Sequence, residues 1–165
     1  MTLRPILRLP DPRLRQVCPP VERFDAGLGR LALDMLRTMY AAPGRGLAGP
    51  QIGAMQRIFV MDCGWKEGRP DPQVMVNPEI LAAEGAAEHE EGCLSVPGLA
   101  VPVIRPDRIR LRWQDLAGDW QEGAFTGFDA VCVQHERDHL DGILHIDRAA
   151  PDVRAALAPA LAAFA

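Results

Sequence analysis

Nowhere in the 165-residue chain is there an uninterrupted apolar run near the roughly eighteen residues that a membrane-spanning helix needs, so no membrane association is expected. A basic excess is missing too: 18 Lys and Arg stand against 22 Asp and Glu, for a net charge of −4. Aromatic residues are few, with five Phe, three Trp and one Tyr, so the positive patch and stacking rings of a nucleic-acid binder are absent. No nucleic-acid partner is expected. The opening MTLRPILRLPDPRLRQV carries prolines, an aspartate and arginines where an export signal has an apolar stretch, which leads to the expectation of a cytoplasmic protein. Cysteine is sparse. Cys18, Cys63, Cys93 and Cys132 are scattered, and without an export signal they read as thiols and not as a disulfide framework.

Glycine and proline are plentiful, 15 of each, which implies many turns and bent connections. The length suits one domain over 1–165 with a single core. From Phe24 to Tyr40, Leu28, Leu31, Leu33, Met35, Leu36 and Met39 recur at mostly helical spacing and Pro43 closes the pattern, so a long amphipathic helix is expected there. Short apolar runs follow at Arg57–Cys63, Gln73–Asn77, Ala100–Ile104 and Arg108–Trp113, and these read as strands. A hairpin turn is expected from Asp115 to Gly118, and a second helix from about Thr126 to Leu140, stopped by Asp141-Gly142. The expected fold class is α+β, mostly antiparallel strands around a central metal-binding helix, with one long N-terminal helix. The segment Ala155 to Ala165 is Ala-rich and receives no element.

The stretch AVCVQHERDHLDGIL, Ala130 to Leu144, sets His135 and His139 four residues apart. On a helix such positions differ by about 40° around the axis and one turn along it, so both imidazoles can reach one ion. Glu136 stands beside them, completing H-E-x-x-H, in which two histidines hold a metal and a glutamate handles protons for the attacking water. The plain alternative is a solvated helix face. Val131, Cys132 and Val133 before His135, and Leu140 after His139, mark the face as buried instead. Buried histidines without partners cost about 1–3 kcal/mol for each unsatisfied group, and a shared metal removes that cost. A catalytic site needs three protein ligands and a position for water. Cys132, one turn before His135, and Cys93, in EEGCLSVPG, are both open as the third, while Cys18 and Cys63 read as core thiols. Asp138 reads as a partner for an imidazole N–H or an arginine.

Three segments, GRGLAGPQ (Gly44 to Gln51), EGCLS (Glu91 to Ser95) and QHERDH (Gln134 to His139), resemble the three motifs of the peptide deformylases in order and separation. The likeness extends from ILRLPDPRLRQVCPPVERFD to HLDGIL and covers nearly the whole chain. The resemblance implies the family's α+β fold and makes Cys93, His135 and His139 the metal ligands, selecting Cys93 over Cys132. It implies Glu136 as general acid and base, with Gln51 and the backbone N–H of Leu94 stabilising the developing oxyanion and Gly46 offering backbone bonds to the substrate. Arg45, His89, Glu91, Phe128 and Val131 would border the substrate pocket. The implied cofactor is one divalent ion, Fe2+ in the cell, with Ni2+, Co2+ or Zn2+ able to substitute. The implied reaction releases formate from N-formylmethionyl peptides, so the partners are N-formylated nascent peptides met in transient proximity to the ribosome by a monomer.

The chain departs from the family pattern at Arg45, Gly49, His89 and Ala100, where many members carry an apolar residue, alanine, an apolar residue and a peptide-contacting arginine, respectively. Arg105 matches a second arginine of that last region. These changes motivate the expectation of intact machinery with altered side-chain preference. The Ala-rich tail carries no basic helix, so direct ribosome docking is not expected. Two rival readings are a metallopeptidase with a distant third ligand and a non-catalytic metal- and peptide-binding relative. Against the first, EGCLS offers a thiolate and no second helix offers a carboxylate or imidazole; against the second, Glu136 has no evident use in mere metal storage.

Overall fold

The structure, a computed structural model, describes residues 2–165. Helix α1 (Ala26–Ala41) starts where Asp25, in extended backbone, accepts hydrogen bonds from the N–H groups of Gly27 and Leu28 at 2.9 and 3.1 Å. This cap satisfies two donors that the first turn cannot, which is why the helix begins two residues after the expected Phe24. Its apolar face, with Leu28, Ala32, Met35 and Met39, packs on Leu47, Ile58, Val60 and Val76.

Those partners lie in a five-stranded antiparallel sheet. Its strands are β1 (Gly46–Ala48), β2 (Ile58–Met61), β3 (Gln73–Glu84), β6 (Arg108–Gln114) and β7 (Trp120–Thr126), paired in the order β1-β2-β3-β6-β7. Strands β4 (Ala87–Cys93) and β5 (Val96–Arg105) form a separate antiparallel pair. Helix α2 (Gly127–Leu140) lies on the large sheet, burying Ala130, Val133 and Leu140 against Phe59, Met75, Ile109 and Leu111. Helix α3 (Pro151–Leu161) covers the small sheet through Val153, Leu157 and Leu161, which pack near Val96, Val101 and Val103.

Several elements exceed the expectation from sequence. The strand expected to stop at Asn77 runs on to Glu84 through register shifts after Val76 and Ile80. Asn77 takes a left-handed conformation at φ 50°, and its amide holds the bulge by bonding Val21 N–H, Val21 C=O and Gln114 at 2.8–2.9 Å. Strand β4, AEHEEGC, carries too many glutamates to read as a strand, yet its alternate residues turn Glu91 and Cys93 inward. Helix α3 has only three large apolar residues, spaced by four, and small alanines between them. The expected hairpin turn is present, with Asp115 accepting from the N–H groups of Ala117 and Asp119. Gly142 ends the α2 segment at φ 72°, where a Cβ would lie 2.6 Å from the backbone of Arg15.

At the far end of α1 the Tyr40 hydroxyl donates to Asp62, just past β2, at 2.6 Å. Partial burial and the anionic partner push this phenol up to about 12. A phenol raised above its unfolded value of about 10 adds stability that is complete below pH 10 and fades as pH climbs through the folded value. The stability difference between the wild type and Tyr40→Phe should therefore be constant below about pH 10 and shrink between about pH 10 and 12 in urea melts; a difference that grows over that range would contradict the assignment.

Candidate metal centre

Two hairpin residues, Leu94 and Ser95, join β4 to β5 and leave Cys93 paired with Val96 at the hairpin end. This places the Cys93 thiol against α2, on which both His135 and His139 are buried. Cys93 Sγ lies 3.4 Å from His139 Nε2, which lies 3.3 Å from His135 Nε2. All three donor atoms fall within 4.8 Å of one another. A tetrahedral ion with metal–nitrogen bonds of about 2.05 Å and a metal–sulfur bond of about 2.3 Å sets its donors about 3.3 Å (N to N) and about 3.6 Å (N to S) apart. The two observed edges match those spacings, so the residues fit one ion. Cys132 is not in this group; its thiol points to the carbonyl of Arg45 at 3.7 Å.

The ring of His135 is oriented from behind. Its Nδ1 lies 2.9 Å from Glu91. Burial alone would raise the Glu91 carboxyl, but the bonds from His135 and Arg105 overcome it and hold it at about 2. An anionic carboxylate accepts only, so Nδ1 carries a proton and Nε2 is the ring nitrogen turned towards the other two donors. Arg105 meets both oxygens of Glu91, at 2.6 and 3.0 Å, and donates to Asp138 at 2.9 Å. Arg148 closes on the same Asp138 at 2.8 and 3.0 Å. Asp138, expected to serve an imidazole or an arginine, thus serves two arginines. Burial and nearby cationic groups push His139 well below the usual imidazole range, which keeps a lone pair available.

A cleft of about 640 Å³ opens beside the three donors, with Arg45, Gly46, Leu94, Phe128 and Val131 on its walls. Glu136 reaches it from α2, 4% exposed, and burial pushes its carboxyl up to about 7. A Cβ at Gly46 would sit 2.4 Å from Glu136 Oε1, so only glycine lets the β1 backbone approach that carboxylate. Gln51 is locked in place. Its Oε1 accepts from Ala48 N–H at 2.9 Å and its Nε2 donates to Ser95 Oγ at 3.1 Å, which leaves it 3.7 Å from Cys93 Sγ.

Of the residues expected to border the pocket, Glu91 lies at the cleft wall with its carboxylate engaged by Arg105 and His135. His89 stands two residues further from the hairpin on the same strand face and does not line the cleft, because each strand residue moves it about 3.3 Å away. Arg105, which matches an arginine of a peptide-contacting region, is only 4% exposed and fully engaged. Ser95 and His145 were given no role from sequence. His145 is buried, its Nε2 bonded to the Leu99 carbonyl at 3.1 Å and its ring 5.8 Å from that of His135. It follows the end of α2, so no helical spacing links it to the other histidines.

The family described as Polypeptide deformylase matches residues 3–155. The chain belongs to the peptide deformylase family. It is 53% identical over 148 residues to the peptide deformylase of Alkalilimnicola ehrlichii, spanning 89% of this chain and 82% of that one. The peptide deformylase of Mesorhizobium japonicum is 51% identical over 148 residues, covering 89% and 84%. The crystal structure of a peptide deformylase from Legionella pneumophila superposes with a TM-score of 0.90 at 43% identity, covering 99% of this chain and 95% of that one. The antiparallel sheets and the central histidine helix are therefore those of the deformylase fold, and the activity is that of a deformylase.

The contact between Gly46 and Glu136 is open to a direct check. In Gly46→Ala the new methyl displaces the Glu136 carboxylate, so formate release should fall by about 10²-fold or more while bound metal per chain is unchanged; full activity in that variant would contradict the close approach.

Proposed function

We propose that residues 1–165 form one deformylase domain that removes the formyl group from N-formylmethionyl peptides with one divalent ion held by Cys93, His135 and His139. The observation that carries this reading is the convergence of one thiol and two imidazoles beside a buried carboxylate, Glu136, at the wall of a peptide-sized cleft. When bound, such an ion acts as a Lewis acid and lowers the pKa of water from 15.7 toward about 7. Glu136 takes a proton from the attacking water and returns it to the leaving amine, a task suited to a carboxyl raised towards neutrality. Gln51 Nε2 and the N–H of Leu94 stabilise the charge that grows on the formyl oxygen; the bonds from Ala48 and to Ser95 support this role by fixing the amide beforehand. Gly46 presents backbone to the peptide, and Phe128 and Val131 give the pocket its apolar wall.

The donor set of one sulfur and two imidazoles suits ferrous iron, nickel, cobalt and zinc alike, and Fe2+ is our choice for the cell. The protein is read as a cytoplasmic monomer that meets nascent chains near the ribosome. No described helix is long and apolar enough to cross a membrane.

A second reading, altered side-chain preference, is favoured by the surroundings of Arg45. Its guanidinium is paired with Glu67 at 2.6 and 2.8 Å, bonded to the carbonyl of Cys63, and lies 5.5 Å over the ring of Phe128. An ion pair thus caps the pocket wall where an apolar side chain would leave more room.

Two variants test these readings. Glu136→Ala should retain its metal yet lose about 10²–10⁴-fold in formate release, and metal retention with undiminished release would remove Glu136 from the chemistry. Arg45→Val should use formyl-Met-Ala-Ser better than the wild type does; identical kinetics on several formyl peptides would show that Arg45 has no part in preference.

A further inference from the structure

Cys63 and Cys132 take no part in the converging donor group or in the proposed chemistry, yet they meet. Cys63 follows β2 and Cys132 lies on α2; Cys63 packs against the apolar cluster that holds Cys132, the two thiols are neighbours, and both are free. Arg45 touches both residues, its guanidinium donating to the carbonyl of Cys63 and its own carbonyl accepting from Cys132 Sγ at 3.7 Å. Access to the two is unequal. Cys63 is partly exposed and lines a cavity of about 560 Å³ next to the site, together with Glu67, Arg69 and Asp71. Cys132, 7% exposed, lines the peptide cleft itself beside Val131 and Glu136. Contact with Cys63 and burial together push the Cys132 thiol well above the ordinary cysteine range, so the more accessible Cys63 is the sulfur that meets an oxidant first.

We propose that Cys63 and Cys132 form a modification site, a dithiol that low-molecular-weight disulfides close into an intramolecular bond and that thereby alters peptide uptake by the neighbouring cleft. In the first step Cys63 attacks one sulfur of glutathione disulfide, forming a mixed disulfide and releasing one glutathione. Cys132 then attacks the Cys63 sulfur, and the second glutathione leaves. The dithiol loses two electrons, the glutathione disulfide gains them, and the two thiol protons end on the two glutathiones. A bond of about 2.05 Å replaces a thiol–thiol contact, drawing the end of β2 towards α2. Arg45, which touches both partners and covers Phe128, lies between the elements that move.

The test uses the nickel-loaded protein, incubated with glutathione disulfide, alkylated, digested without reduction and mapped by mass spectrometry. The KM for formyl-Met-Ala-Ser is measured before and after. The expected result is one linked peptide pair, Cys63 to Cys132, and a KM change of about threefold or more that dithiothreitol reverses and that Cys63→Ser does not show. Recovery of both cysteines as separately alkylated peptides would overturn the proposal, and so would a linked pair with unchanged KM. The KM arm rests on the deformylase reading, whereas the mapping arm needs no activity, so failure of one is distinguishable from failure of the other.

Discussion

A guanidinium enclosed between two carboxylates is the constraint on which the rest of the site depends. Arg105 from β5 bonds Glu91 of β4 and Asp138 of α2, and all three are at most 5% exposed. Taking such charges out of water is expensive, and removing one partner of a buried pair typically costs about 3–5 kcal/mol because the other is stranded. The small sheet and the histidine helix are therefore locked in one relative position. That position sets the Cys93 thiol opposite His139 and leaves Glu91 to orient His135. A donor set held in advance does not have to be ordered when the ion binds.

The same economy of motion extends to the reacting groups. Gln51 is fixed by Ala48 and Ser95 before any peptide arrives, and the Glu136 carboxylate lies close against the Gly46 backbone. Burial raises Glu136 towards neutrality while the network keeps Glu91 anionic, so two carboxyl groups on adjoining elements have opposite tasks set by their surroundings. In the proposed mechanism one exchanges protons, while the other holds a ring in place. The glycines of the first motif act by letting backbone come close, Gly46 against Glu136 and Gly49 against the carbonyls of Ala54 and Gln56.

How far this was legible in the amino-acid sequence differs by level. The two histidines were readable as a pair because H-E-x-x-H is a local pattern on one helix, and the choice of Cys93 over Cys132 as their partner came from the resemblance of the motif trio to the peptide deformylases. α1 was readable from its periodicity and its closing proline. What escaped was decided by long-range partners. Glu91 and Arg105 are 14 residues apart, and nothing local says that they pair with each other and, through Glu91, with His135. Strand β4 is built from glutamates whose inward member is neutralised by that pairing, so its propensity misleads. Helix α3 packs three partly buried side chains on a sheet that the sequence announces only through the run from Ala100 to Ile104. The contact of Cys63 with Cys132 likewise follows from the seating of α2 on β2 and not from any spacing.

The central claim is that one sulfur and two imidazole nitrogens, preset by a buried ionic frame, bind a single ion. X-ray absorption at the metal edge of the purified, metal-loaded protein tests it most directly. The account predicts a coordination sphere containing one sulfur and two imidazole nitrogens, with the sulfur signal lost in Cys93→Ala. A sphere of nitrogen and oxygen alone in the wild type, or a sulfur signal that survives that substitution, would contradict it.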